Sequence, residues 1–385
     1  MLSSKISFKN FKSKKVKSSL IRKKLITLLK EKNEILESLS KNYKNNFNNK
    51  SLKKFKNSLD YRVIGMGGSS LGAQAIYDFL RHKIKKKFFF IDNLKRSNQE
   101  KKKKYYNNLI ISKSGNTIET IVNVNLLIRK KDQNIFITEN KKNYLNLLAE
   151  KLKADIIHHN DYIGGRYSVL SEVGMLPAEL MGLDIKNFKQ LNFLIKNKPF
   201  FNNLISNVSS TLHFIRNKKF NSIILNYDEK SYSLFKWYQQ LIAESLGKKK
   251  NGILPIISNM PKDNHSVMQL YLDGFKNNFY TFFYVHEDQS KKLNDKQILS
   301  SKNYLKNKSS GDIIFAQKKA TENVFNRKNI PFRSFEIKKR DEKTLGELFC
   351  FFILETILIA KSLNINPYDQ PAVELIKQET TKILI

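Results

Sequence analysis

The sequence predicts an α/β protein built as two doubly wound parallel-sheet lobes, with helical segments at the N- and C-terminal ends. Short β-type apolar runs alternate with stretches of helical periodicity, and this alternation begins afresh after a glycine- and proline-marked connection at 164–182. At 385 residues the chain is also too long for one ordinary domain and long enough for two, each with its own core.

The elements follow in order. Residues 1–55 form a basic arm, read as helical. Within a first lobe at 56–185, strands are expected at 61–65, 88–91, 109–111, 134–138 and 154–158, with helices at 71–82 and 117–130. The stretch 164–182 is read as a loop-rich connection. A second lobe at 186–342 carries strands at 222–225, 252–257, 279–284 and 331–337. Its helices fall at 201–218, 232–246, 266–276 and 312–326. C-terminal helices at 343–362 and 371–384 complete the chain, the last opening on Pro371, where a missing N–H costs nothing.

The formal charge of +36 invites a nucleic-acid reading. The cations are mostly lysines spread over nearly every polar stretch, so neither a nucleic-acid nor a membrane partner is expected, and the charge is left a supporting role in steering an anionic substrate. The apolar run 348–360 is interrupted by Glu355 and is too short to span a bilayer. The single cysteine, Cys350, lies inside that run and reads as a small core residue. A cytoplasmic, reducing location is the expectation. Residues 1–30 are basic and serine-containing, but they lack the arginine bias of a transit peptide.

Two loops carry candidate chemistry. Ser112-Lys113-Ser114-Gly115-Asn116-Thr117 joins a strand to a helix and offers hydroxyls, free N–H groups and a lysine to one point, as a phosphate cradle does. The same residues also fit a plain helix cap, with Ser114 or Asn116 capping and Glu119 as the capping-box acid. Gly65-Met66-Gly67-Gly68-Ser69-Ser70-Leu71-Gly72 likewise follows a strand and opens a helix, where glycines let the backbone approach a ligand. Its spacing fits a dinucleotide fingerprint poorly.

Together these segments resemble the sugar isomerase domain, and a further run makes the resemblance specific. Gly164-Gly165-Arg166-Tyr167-Ser168-Val169-Leu170-Ser171-Glu172-Val173-Gly174-Met175-Leu176-Pro177 looks like a signature of the glucose-6-phosphate isomerase (phosphoglucose isomerase) family. Gln240-Leu241-Ile242-Ala243-Glu244-Ser245-Leu246-Gly247-Lys248 resembles its glutamate segment. Asn264-His265-Ser266 with Gln269-Leu270 resembles its histidine segment, and Gln370-Pro371-Ala372-Val373-Glu374-Leu375-Ile376-Lys377 its lysine segment. The sequence departs from the family at Pro371 and Ile376, where a tryptophan and a glycine are usual, and at Asn116, where a second threonine or similar residue is.

The resemblance implies two tandem sugar isomerase lobes and interconversion of glucose 6-phosphate and fructose 6-phosphate in glycolysis and gluconeogenesis. Glu244 is implied as the base moving the proton between C2 and C1, in a closed, poorly solvated site. Arg166 is the cation beside the enediolate, His265 the ring-opening acid/base and Lys377 its helper. Substrate binding is placed on Gly68, Ser69, Ser112, Lys113, Ser114, Thr117, Gly165, Gln240 and Gln370. No cofactor is expected. No metal site is expected either, because His158, His159 and His213 lack acidic or cysteine partners at ligand spacing. A homodimer with His265 acting in the partner's site is implied. Two alternatives remain: an isomerase that also accepts mannose 6-phosphate, and a non-catalytic phosphosugar-binding regulator.

Overall fold

The computed structural model describes residues 2–12, 18–94, 105–129, 131–287 and 290–385. Residue 130, expected to end the helix 117–130, and residues 13–17 of the arm lie outside them.

The first sheet holds β2 (Asp60–Ile64), β3 (Lys87–Ile91), β4 (Asn107–Ile111), β5 (Gln133–Glu139) and β6 (Asp155–His159), all parallel, in the order β3-β2-β4-β5-β6. Every residue of β4 is buried, as expected of a central strand covered on both faces. The second sheet runs β1-β10-β9-β7-β8, from β1 (Ile6–Lys9), β7 (Asn221–Asn226), β8 (Leu254–Asn259), β9 (Asn278–Val285) and β10 (Phe332–Ile337). Its strands are parallel except β1, which pairs antiparallel with β10.

That first strand corrects the expectation of helix throughout 1–55. Ile6 and Phe8 alternate inward against Ser7 and Lys9, a period of two hidden in a lysine-rich arm. The rest of the described arm is largely helical: α1 (Ser18–Lys30), α2 (Glu34–Ser38) and α3 (Asn49–Lys56). The first lobe adds α4 (Leu71–Phe79), α5 (Ile118–Leu127), α6 (Tyr144–Lys151) and α7 (Glu172–Leu180). The second adds α8 (Leu191–Leu194), α9 (Lys198–Arg216), α10 (Tyr232–Leu246), α11 (Met268–Asp273) and α12 (Ser310–Arg327). The chain ends in α13 (Glu342–Ser362) and α14 (Pro371–Leu384).

The stretch 164–182 is not loop-rich. A 3-10 turn, Gly165–Leu170, leads directly into α7, which accommodates Pro177 in its interior. Gly174 and Pro177 read locally as breakers, yet packing overrides them. A Cβ on Gly174 would stand 1.9 Å from the Val169 carbonyl oxygen, so the glycine is what lets turn and helix fold onto each other.

Helix α13 is the common core. Asp341 caps its start by accepting from the Thr344 N–H at 2.9 Å. Residues 344–360 are buried on every face, each fully buried Leu, Ile or Phe contributing about 1.5–3 kcal/mol. Cys350 lies at its centre, where burial pushes the thiol up to about 12. Among the described residues no helix is long and apolar enough to cross a membrane.

Candidate active site

In the first sheet the chain leaves β2 for β3 on one side and returns to β4 on the other. At such a reversal the loops after the two strands diverge and open a crevice at their carboxyl ends. The loops that diverge here are the glycine turn after β2 and Ser112–Thr117 after β4. The Ser112 and Thr117 hydroxyls are 2.9 Å apart. The capping roles open to Ser114, Asn116 and Glu119 are not taken: Thr117 is the N-cap of α5 and no side chain bonds the helix's first N–H groups. Ser114 Oγ accepts from the Asn116 N–H at 3.3 Å, and Asn116 Oδ1 accepts from the Tyr144 N–H at 3.0 Å. Lys113 is held to one wall, donating to the Asp161 carbonyl at 2.6 Å, with Glu139 3.5 Å away.

The glycine turn meets the Arg166 turn backbone to backbone. A Cβ on Gly68 would lie 2.2 Å from the Gly165 carbonyl carbon, so only glycine permits this approach. Ser69 sits partly buried in the 3-10 turn Gly67–Ser69. Beyond Gly165, the Arg166 side chain is buried and its donors are fully engaged. Nε donates to Ser245 Oγ at 3.0 Å, and Nη2 to the carbonyls of Pro367 (2.6 Å) and Asp369 (2.9 Å). Nη1 divides between Gln370 Oε1 (2.8 Å) and Glu244 Oε2 (3.1 Å).

Glu244 is therefore gripped twice, its second oxygen accepting from Gln240 Nε2 at 2.8 Å. It is not enclosed: 27% of its side chain is exposed, beside a cavity of about 670 Å³ between the end of α10 and residues 365–373. The closed site expected for Glu244 is thus not formed by this chain alone. Gln240 Oε1, on the amide whose Nε2 holds Glu244, is buried without a partner.

Two expected participants are elsewhere. His265 is exposed at the end of the 3-10 turn Lys262–His265, which follows β8. Gln239, on α10, donates to the carbonyl of Pro255 at the start of β8. Glu244 and His265 thus stand at opposite ends of that strand, whose six residues span roughly 17 Å. Lys377 lies on α14, which has no buried residue, and pairs with Glu374 at 2.6 Å. The structure assembles Arg166, Glu244, Gln240, Gly68, Gly165 and Gln370; it does not bring His265 or Lys377 to them.

A sequence model described as phosphoglucose isomerase matches residues 23–385. The glucose-6-phosphate isomerase of Methanocaldococcus jannaschii is 34% identical over 348 residues, covering 84% of this chain and 83% of that protein. The chain belongs to the phosphoglucose isomerase family. Two crystal structures share the fold. A hypothetical protein from Thermus thermophilus superposes with a TM-score of 0.81 at 21% identity, covering 95% of this chain and 94% of that one. A glucose-6-phosphate isomerase from Chlamydia trachomatis superposes with 0.67 at 18% identity, covering 97% and 80%.

Within this phosphoglucose isomerase chain the sequence reading missed the groups that hold Arg166. Tyr167 OH and Ser245 Oγ, 2.8 Å apart, brace it from beneath, and Trp237 Nε1 donates to the Arg166 carbonyl at 3.1 Å. Ser245 and Tyr167 sit next to Glu244 and Arg166 in the chain, which was the available signal. His159 has no acidic neighbour at ligand spacing in the sequence, yet in space it meets one. Its Nδ1 lies 3.3 Å from Glu172 Oε2 and its Nε2 3.0 Å from the Ile163 carbonyl, so the imidazole bridges the two ends of the segment that carries Arg166. Tyr43 OH and the Asn46 N–H also donate to Glu172. Burial works to raise this carboxyl, but the bonds from His159 and the backbone outweigh it and hold Glu172 below the ordinary value.

Behind the same turn Lys189 donates to the carbonyls of Ser38 and Leu170. Burial lowers its pKa to about 7. Above that pH the folded chain has released a proton that the unfolded chain keeps up to its ordinary lysine range, so stability rises with pH across this window, by at most about 1.4 kcal/mol per unit. Relative to Lys189→Met, the wild type should therefore gain stability between about pH 6 and pH 9. Urea unfolding of both proteins checks this, and a pH-independent difference would refute it.

Proposed function

We infer that this chain interconverts glucose 6-phosphate and fructose 6-phosphate, opening the sugar ring and moving one proton through a cis-enediolate. The observation that carries this reading is the Arg166–Glu244 contact at 3.1 Å, set between the lobes and beside the β2/β4 crevice. A phosphate fits the uncapped start of α5 and the hydroxyls of Ser112, Ser114 and Thr117, with Ser69 and Lys113 at the rim. The sugar carbons then reach Glu244. Its carboxylate takes the proton from C2 and returns it to C1, so the cycle leaves the base unchanged. Arg166 keeps a fixed charge against the enediolate oxygens, and its five-donor grip allows little movement as charge develops. The two sheets support two lobes centred on 56–185 and 186–342, although β1 of the 1–55 arm joins the second sheet, so that the arm is part of the second lobe and not only a flank. The buried thiol of Cys350 suits a reducing, cytoplasmic location.

Ring opening calls for His265, which stands at the far end of β8 from Glu244. A second copy supplying its His265 to this site resolves the separation, and we propose a homodimer. Helix α14 supports it. Leu375, Ile376, Ile383 and Leu384 are all more than 60% exposed, an apolar surface that a partner subunit covers while Lys377 turns toward the sugar.

The direct test is conversion of fructose 6-phosphate by the purified protein, with mannose 6-phosphate as the specificity control. The shared site has a sharper one. Co-expressed Glu244→Gln and His265→Ala chains form mixed dimers with one intact site if His265 acts across the interface. Roughly a quarter of wild-type activity should then return. If each chain uses its own histidine, the mixture stays as inactive as either parent.

A further inference from the structure

The second sheet has a reversal of its own. The chain leaves β7 for β8 on one side and returns to β9 and β10 on the other, so a crevice opens beyond the carboxyl ends of β7, β9 and β10. In the first lobe the equivalent place holds the proposed active site. In the second lobe the proposed chemistry lies at the opposite edge, because α10 carries Glu244 roughly 18 Å along its axis from Tyr232, near the amino end of β8. The crevice is nonetheless a formed cavity of about 660 Å³, within the range that takes a small metabolite.

Its walls are cationic. Lys230 follows β7, His286 and Glu287 follow β9, and Lys338, Lys339 and Arg340 follow β10, while His82 faces them from beyond α4. Arg340 is fixed in place. It donates to both oxygens of Asp228 at 3.1 and 2.6 Å, and its guanidinium lies 4.8 Å from the centre of the Phe79 ring. Lys230 pairs with Glu287 at 2.7 Å. Asp228 and Glu287 thus offset Arg340 and Lys230. Lys338 and Lys339 are exposed and, among the described residues, form no ion pair, so they stand as surplus charge beside two imidazoles.

We propose that this crevice is a second anion site, separate from the catalytic cleft, which takes a small phosphorylated metabolite carrying at least two negative charges. Topology, cavity and charge reach that conclusion independently of the isomerase reading. The environment of His82 agrees: burial lowers its pKa, and Arg340, Lys230 and Lys83 lower it further, as a site short of negative charge would. A bound dianion reverses that field, so binding draws a proton onto His82.

The probe is inorganic pyrophosphate, followed by the imidazole proton resonances. The chain has 6 histidines, few enough to resolve, and His82→Gln assigns the resonance in question. The expected result is a saturable shift of His82 toward its protonated position. In Lys338→Ala/Lys339→Ala the apparent affinity should weaken about tenfold or more, with turnover of fructose 6-phosphate unchanged. The proposal is overturned if pyrophosphate produces no saturable shift. It is equally overturned if the double variant binds as the wild type does, or if sodium chloride at equal ionic strength reproduces the shift, since the effect would then be ionic atmosphere around a basic surface.

Discussion

Glu244→Gln should lower kcat for fructose 6-phosphate by about 10²- to 10⁴-fold, the range expected when a positioned general base is removed. The substitution keeps the side chain's shape and an oxygen able to accept from Arg166 Nη1 or Gln240 Nε2, which contact the carboxylate at 3.1 and 2.8 Å. With the side chain 27% exposed, the loss of one charge is met partly by solvent, so folding should survive. KM should change little, because the proposed phosphate contacts lie on other loops. Steady-state kinetics with circular dichroism on both proteins settle the point. Unchanged kcat in a folded variant would remove Glu244 from the proton transfer and leave Arg166 with a purely structural partner.

The site was legible in the sequence wherever function and local pattern coincide. Glycine-marked turns after β2 and β4 announced themselves, because a strand followed by small polar residues and a helix start has few other readings. The same rule that reads Gly and Pro as breakers failed at α7, where burial of nearly every residue stabilises a helix through Pro177. Strand β1 was missed because four alternating residues are too few to stand out from a basic arm. The braces of Arg166 were out of reach for a different reason. The Pro367 and Asp369 carbonyls lie about 200 residues from it in sequence, and backbone acceptors leave no residue-type signal at all. His159 and Glu172 are 13 residues apart, but nothing in their spacing says that β6 and α7 bring them face to face. Family resemblance named His265 and Lys377. Only the fold shows that one chain does not gather them.

The largest stability effect is expected from Glu355, in the core beneath α10, the helix that carries the proposed base. Its carboxylate accepts from Arg333, from Asn207 Nδ2 and from Tyr238 OH at 3.1 Å, and it joins α13 to α9, α10 and β10. Arg333 and Glu355 are each 1% exposed as side chains. Glu355→Leu leaves a guanidinium buried with Asn207, Thr281 and Tyr238 as neutral partners, which costs about 3–5 kcal/mol. That is a large share of a typical margin of about 5–15 kcal/mol, so the urea midpoint should fall sharply. The double variant Arg333→Met/Glu355→Leu separates the two contributions. Two charges that no longer need desolvation leave a packed apolar pair, and most of the loss should return. A single variant within about 1 kcal/mol of wild type would show that water reaches Arg333 in the variant and solvates its charge. Because Tyr238 and Glu244 share α10 less than two turns apart, the network also fixes the helix from which the proposed base projects. The double variant, stable but without these bonds, should therefore keep its fold and lose more in kcat than in KM.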